Sequence, residues 1–178
     1  MARKQAPREG NTQMAVNLAK QDRNANSKPQ TVENPLVGIR VLVVDDSPMQ
    51  RSKLKELYHS LGMQCVGEAG DGLECLEKVE KLKPDLISLD IIMPQMHGVE
   101  TLGYLRRQSV PAVIIFVSAL GSVQATTELK SRGYSPDAVF SKKDTRDTFA
   151  QVLGEIFGDE AVRATLHEEL NELRPTAP

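Results

Sequence analysis

The chain has 178 residues, 40% of them apolar, 26% charged and 4% aromatic, with no Trp and a formal net charge of −2. That length suits one full domain with tails, and its core must be aliphatic. No apolar run approaches the ~18 residues of a membrane span and neither tail is basic enough to imply nucleic acid, so the expected protein is cytoplasmic, without membrane insertion or direct DNA binding.

Residues 1–37 read as a disordered N-terminal tail, rich in Asn, Gln, Lys, Arg and Pro. Its one helical hint, Met14 to Leu18, is too short to hold alone. From Gly38 the pattern changes to short apolar runs alternating with amphipathic segments, the signature of βα units in a parallel sheet.

Val41 to Val44 is a buried-strand run. Ser47-Pro48 follows as N-cap and first helical residue, with Leu54, Leu57, Tyr58 and Leu61 on one face before Gly62. A second unit takes Met63 to Val66 as strand, then a helix capped by Asp71 with Glu74 three residues on and Leu73, Leu76 and Val79 at helical spacing, until Pro84. Leu86 to Leu89 is a third strand, followed by a helix from Gly98 to Arg107.

Ala112 to Ser118 gives a fourth strand and Val123 to Arg132 a fourth helix, stopped by Gly133. Ala138 to Ser141 is a short fifth strand, and Phe149, Val152, Leu153, Ile156 and Phe157 mark the fifth helix. The expected fold is α/β, with a domain over 38–157. Residues 158–178 form a C-terminal amphipathic helix and tail, whose Val162, Leu166, Leu170 and Leu173 need a neighbour, either the domain's own surface or a second copy. Cys65 and Cys75 show neither CxxC nor a His-linked zinc spacing, so both read as reduced thiols.

In an open parallel sheet, functional groups gather at the carboxyl ends of the strands. Asp45 and Asp46 follow the first apolar run and Asp90 the third. Ser118 ends the fourth, and Lys142-Lys143-Asp144 follow the fifth. Each has a plainer reading: an acid after the first strand can cap a helix, Ser118 can begin a turn, and lysines abound.

Together they carry more, because crowded carboxylates repel by roughly 4 kcal/mol per pair at ~4 Å and an effective dielectric of ~20. A hard cation such as Mg²⁺ suits oxygen ligands, and a lysine adds a movable positive charge. The set suits phosphoryl transfer to a carboxylate, with Asp90 as the nucleophile that becomes an acyl phosphate.

At these residues the chain resembles the receiver domain of bacterial two-component response regulators. VLVVDDSP (41–48), ISLDIIMPQMHG (87–98), VIIFVSA (113–119) and FSKKD (140–144) stand in that family's order. The resemblance implies a flavodoxin-like, doubly wound five-stranded parallel sheet of order 2-1-3-4-5, to which the C-terminal helix is an addition.

It implies Asp90 as phosphoacceptor, and Asp45, Asp46, Asp90 and the backbone carbonyl of Ile92 as ligands of Mg²⁺. It implies Ser118 as the hydroxyl that moves to the phosphoryl group and Phe140 at the position of an aromatic switch. Counting from Phe140 selects Lys143 over Lys142 as the phosphoryl-contacting lysine. His97 stands where the family usually has Asp or Asn.

The expected partners are a sensor histidine kinase or phosphotransfer protein and a downstream protein target. A homodimer through the C-terminal helix or the fourth and fifth helix faces is a further candidate. The expectation is a phosphorylation-activated regulator in a phosphorelay, not a true enzyme, with only self-phosphorylation from a donor and self-dephosphorylation.

One alternative is a Mg²⁺-dependent phosphatase with an aspartyl intermediate, which usually wants a second acid where Ile92 stands. Another is a phosphorylation-independent binding module of the same fold. A flavin carrier would need a Ser/Thr/Gly-rich cradle in place of Asp45-Asp46-Ser47-Pro48.

Overall fold

The computed structural model describes residues 34–119, 122–131 and 133–171, and of 122–125, 128 and 167–171 the backbone alone. Five parallel strands, β1 (Arg40–Val44), β2 (Gln64–Ala69), β3 (Leu86–Leu89), β4 (Val113–Ser118) and β5 (Ala138–Ser141), form one sheet of order β2-β1-β3-β4-β5. The helices are α1 (Pro48–Ser60), α2 (Gly72–Leu82), α3 (Gly98–Arg107), α4 (Ser122–Ser131), α5 (Arg146–Gly158) and α6 (Glu160–Asn171). This is the expected doubly wound architecture with its extra C-terminal helix.

Successive strand residues face opposite sides of the sheet, and here both sides are covered, so the strands read as unbroken apolar runs. Val41, Val43, Val113, Ile115 and Val117 pack with Leu54 and Tyr58 of α1 and with Phe149, Leu153 and Phe157 of α5. On the other side, Leu42, Val44, Ile114 and Phe116 pack with Cys75 and Val79 of α2, Leu102 and Leu105 of α3, and Leu129 of α4.

The helix starts follow the expected chemistry. Ser47 Oγ accepts from the Gln50 amide at the head of α1, and Asp71 Oδ1 from the Glu74 amide at the head of α2. Glu74 Oε2 accepts from the Gly70 amide, so the two side chains close that helix start from both directions.

Several boundaries differ from the sequence reading. The packed chain begins before Gly38: Leu36 is 2% exposed within the core, and Asn34 Nδ2 donates to the Leu61 carbonyl. The rest of the expected tail, residues 1–33, lies outside the described residues.

Strand β2 runs to Ala69 and not Val66, because an edge strand is only half-buried and tolerates Gly67 and Glu68. Helix α4 begins at Ser122, one residue earlier than expected, and is described to Ser131; the expected last residue, Arg132, lies outside the described residues. In α6, Val162 and Leu166 pack into the cluster of α1 and α5, so that part of the stripe finds the domain's own core. The side chains of Leu170 and Leu173 lie outside the described residues.

Acids sit at both ends of β3. Asp85, at the amino edge, accepts from the Arg40 amide at 2.9 Å, while Asp90, at the carboxyl edge, belongs to the site below. No helix among the described residues is long and apolar enough to cross a membrane.

Candidate functional site

The site is built on the first residue beyond three strands. The amides of Asp45, Asp90 and Lys142 donate to the last carbonyls of the neighbouring strands, Ala69, Val44 and Ser118, at 3.1, 2.8 and 2.7 Å. Each residue is thus held by one more rung of the ladder, with its side chain free of the sheet.

One carboxylate oxygen from each of Asp45, Asp46 and Asp90 lies within 4.8 Å of the others; Asp45 and Asp90 are buried and Asp46 is exposed. The Lys142 ammonium stands 2.7 Å from Asp45 Oδ2 and 2.6 Å from Asp90 Oδ2. Asp45 Oδ1 accepts from the Ser47 amide and Asp90 Oδ1 from the Ile91 amide. Burial pushes the Asp90 carboxyl above its ordinary value, against the pull of Lys142, and the Asp45 charge adds to the rise. Burial also lowers the Lys142 ammonium, but its contacts with Asp45 and Asp90 outweigh that and hold it above the usual lysine value.

An all-oxygen donor set suits a hard divalent cation. One atom supports that fit: Asp45 Oδ2 is enclosed, and its partner is itself a cation, the Lys142 ammonium at 2.7 Å.

The loop after β3 shows why the chain reads Met93-Pro-Gln-Met-His-Gly98. Met93 and Met96 are buried anchors, Gln95 takes a left-handed turn at φ +61°, and the Gly98 amide donates to the Ile91 carbonyl. A Cβ at Gly98 would lie 1.9 Å from the Asp90 carbonyl oxygen, so no other residue allows α3 to approach Asp90 this closely. Ile92, inside this loop, is 65% exposed.

Two expectations for the site need correction. Phe140 pairs in register with Val117, on the α1/α5 side of the sheet, and its ring stacks on Phe149. Ser118 follows Val117, so it takes the opposite face, the one that Phe116 and its partner Val139 occupy. The sheet therefore separates Phe140 from Ser118, and the β5 side chains sharing the hydroxyl's face are Val139 and Ser141, the latter its partner in register. The count that selected Lys143 began at Phe140 and shifts with it by one residue. Lys142 meets the carboxylates, whereas Lys143 is exposed, its amide donating to Ser141 Oγ.

Sequence reasoning also missed Arg51. From the first turns of α1 it donates through Nη1 to the Asp45 carbonyl at 2.7 Å and through Nε to Glu68 Oε2 at 3.1 Å, bracing the Asp45–Asp46 loop against β2. An arginine on a helix surface carries no signal of this in the sequence.

Among known proteins, this chain is 37% identical over 97 residues to the chemotaxis protein CheY of Thermotoga maritima, covering 54% of this chain and 81% of that one. It is 41% identical over 103 residues to a protein-glutamate methylesterase/protein-glutamine glutaminase of Pyrococcus abyssi, covering 56% of this chain but only 28% of that relative's length. Among solved structures, the CheX-CheY-BeF3-Mg+2 complex from Borrelia burgdorferi contains a chain that superposes with a TM-score of 0.60 at 28% identity, over 68% of this chain and 90% of that one. Residues 41–155 match the response regulator receiver domain as a family; with the sheet order and the acidic edge described above, the chain belongs to the response regulator receiver domain family.

Proposed function

We propose that this chain is a phosphorylation-activated switch that accepts a phosphoryl group on Asp90. The observation that carries this reading is the convergence of Asp45, Asp46 and Asp90 within 4.8 Å, with the Lys142 ammonium among them. In the transfer, an Asp90 carboxylate oxygen forms a bond to phosphorus as the bond from phosphorus to the donor's leaving atom breaks. The leaving group departs with the electron pair.

Lys142 offsets charge on the phosphoryl oxygens, and Ser118, 2% exposed at the end of β4, supplies a hydroxyl to the new group. Asp45, Asp46, Asp90 and the backbone carbonyl of Ile92 would hold Mg²⁺. When bound, that cation supplies further positive charge to the phosphoryl oxygens.

The product carries roughly −2 charge where a buried carboxylate stood, and this favours whichever arrangement of Ser118 and Lys142 pairs with it. The donor would be a histidine kinase, a phosphotransfer protein or a small acyl phosphate, and the output a protein contact. The B. burgdorferi relative, described in a complex with CheX, BeF3 and Mg, supports both parts of that reading.

The reading is tested with acetyl phosphate and Mg²⁺: one phosphoryl group should be incorporated, and a chelator or Asp46→Ala should abolish labelling. Undiminished labelling of Asp46→Ala would remove the acidic site from the mechanism.

A further inference from the structure

The Lys142 ammonium reaches farther than its place in the sheet suggests. It stems from the end of β5, yet it meets acids at the ends of β3 and β1, two and three strands away across the end of β4. With strands about 4.8 Å apart, those ends lie roughly 10 and 14 Å from β5. A flexible four-carbon stem makes both contacts only if its backbone origin and direction are fixed.

The turn that carries it is closed from both directions by one residue. The Asp144 amide donates to the Ser141 carbonyl at 3.0 Å, and Asp144 Oδ2 accepts from the Ser141 amide at 2.8 Å. Lys142 and Lys143 are the two central residues between them, and Ser141 Oγ accepts from the Lys143 amide.

The Ser141 N–H needs this partner. The next amide, that of Lys142, bonds to β4, so the Ser141 amide faces outward from an edge strand, where the ladder offers nothing. Asp144 is not spent on the following helix either, since α5 is capped by Thr145, whose Oγ1 accepts from the Thr148 amide.

We propose that Asp144 is a positioning residue for phosphoryl transfer: its carboxylate locks the Ser141–Asp144 turn and so aims Lys142 across β4 at Asp90. This rests on the reading of Asp90 as phosphoacceptor. Asp144 touches neither the acids nor the phosphoryl group, and its whole effect passes through Lys142.

The test is the rate of labelling by acetyl phosphate and Mg²⁺ in wild type, Asp144→Ala, Asp144→Asn, Lys142→Met and the Asp144→Ala/Lys142→Met double variant, with melting temperatures alongside. Misplacing a catalytic group by about 1 Å can cost on the order of a hundredfold, so Asp144→Ala should slow labelling about ten- to a hundredfold. Asp144→Asn, whose amide oxygen still accepts from Ser141, should restore most of the rate. In the Lys142→Met background, Asp144→Ala should change nothing further.

If Asp144→Ala folds poorly, Asp144→Glu, one methylene too long for the turn, should show the same slowing and the same silence beside Lys142→Met. A wild-type rate in Asp144→Ala and Asp144→Glu, or equal slowing by Asp144→Ala in both backgrounds, overturns the positioning role while leaving Asp90 as acceptor. An unlabelled wild type overturns the acceptor reading and this inference with it.

Discussion

Phe140 and Phe149 stack nearly parallel, with ring centroids 4.0 Å apart at 10°, and this pairing holds Phe140 against the α1/α5 side of the sheet. Tyr58 meets the edge of the same Phe149 ring and donates its hydroxyl to Ser88 at 2.7 Å, so the stack belongs to a packed chain running from β5 to β3. Phe140→Ala is expected to cost about 3–5 kcal/mol in urea unfolding. Adding beryllofluoride and Mg²⁺ should shift the methyl resonances of Val139, on the hydroxyl's face, more than the ring resonances of Phe140. The reverse order would return the switch to Phe140.

Lys142 occupies the space between two carboxylates that a divalent cation would share, so the built-in cation and Mg²⁺ compete. Lys142→Met should tighten Mg²⁺ binding in an NMR titration by about tenfold, a change of ~1.4 kcal/mol, while slowing phosphorylation. Lys143→Met, at an exposed position, should leave both close to wild type. Equal effects from the two lysines would contradict the placement of Lys142.

His97 is the N-cap of α3 but makes no side-chain capping bond. Asn or Asp at that position accepts from the first free amides of the helix, and such caps are typically worth about 1 kcal/mol. His97→Asn should therefore raise the urea midpoint by an amount of that order. An unchanged or lowered midpoint would show that the loop before α3 cannot present a cap.

Glu68 is held below the ordinary carboxylate range, first by its hydrogen bond from Lys55 and then, against some burial, by Arg51. A depressed carboxyl adds stability above its unfolded value, near 4.5, and loses it as the pH falls through the folded value. The side chain is 38% exposed, so solvent screening limits the gain to roughly 0.2–1 kcal/mol. Between pH 7 and pH 3, wild type should lose more stability than Glu68→Gln by about that amount. Parallel curves would show that the bridges contribute nothing.

The residues that sequence could supply are those whose position in the pattern is unambiguous. Asp45 and Asp90 each end an apolar run, and Gly98 closes a Pro-containing loop where the backbone leaves no room for a Cβ. The fifth strand was different. Ala138-Val-Phe-Ser141 sits in a sheet covered on both sides, so its apolar residues do not announce which face each takes. Only the register with β4 places Phe140 beside Val117 and makes Lys142 the residue that meets the acids. Arg51, Leu36 and the full length of β2 stayed hidden for a related reason: each depends on what lies across from it in space, and local composition records none of that.

The proposed role of Asp90 as the phosphoacceptor of this edge is open to direct mapping. Wild type and Asp90→Ala should be incubated with acetyl phosphate and Mg²⁺, and the modified residue located by tandem mass spectrometry. A single phosphoryl group on Asp90 is expected in wild type and none on the variant; a label mapped to another residue, or retained by Asp90→Ala, would rule Asp90 out as the acceptor.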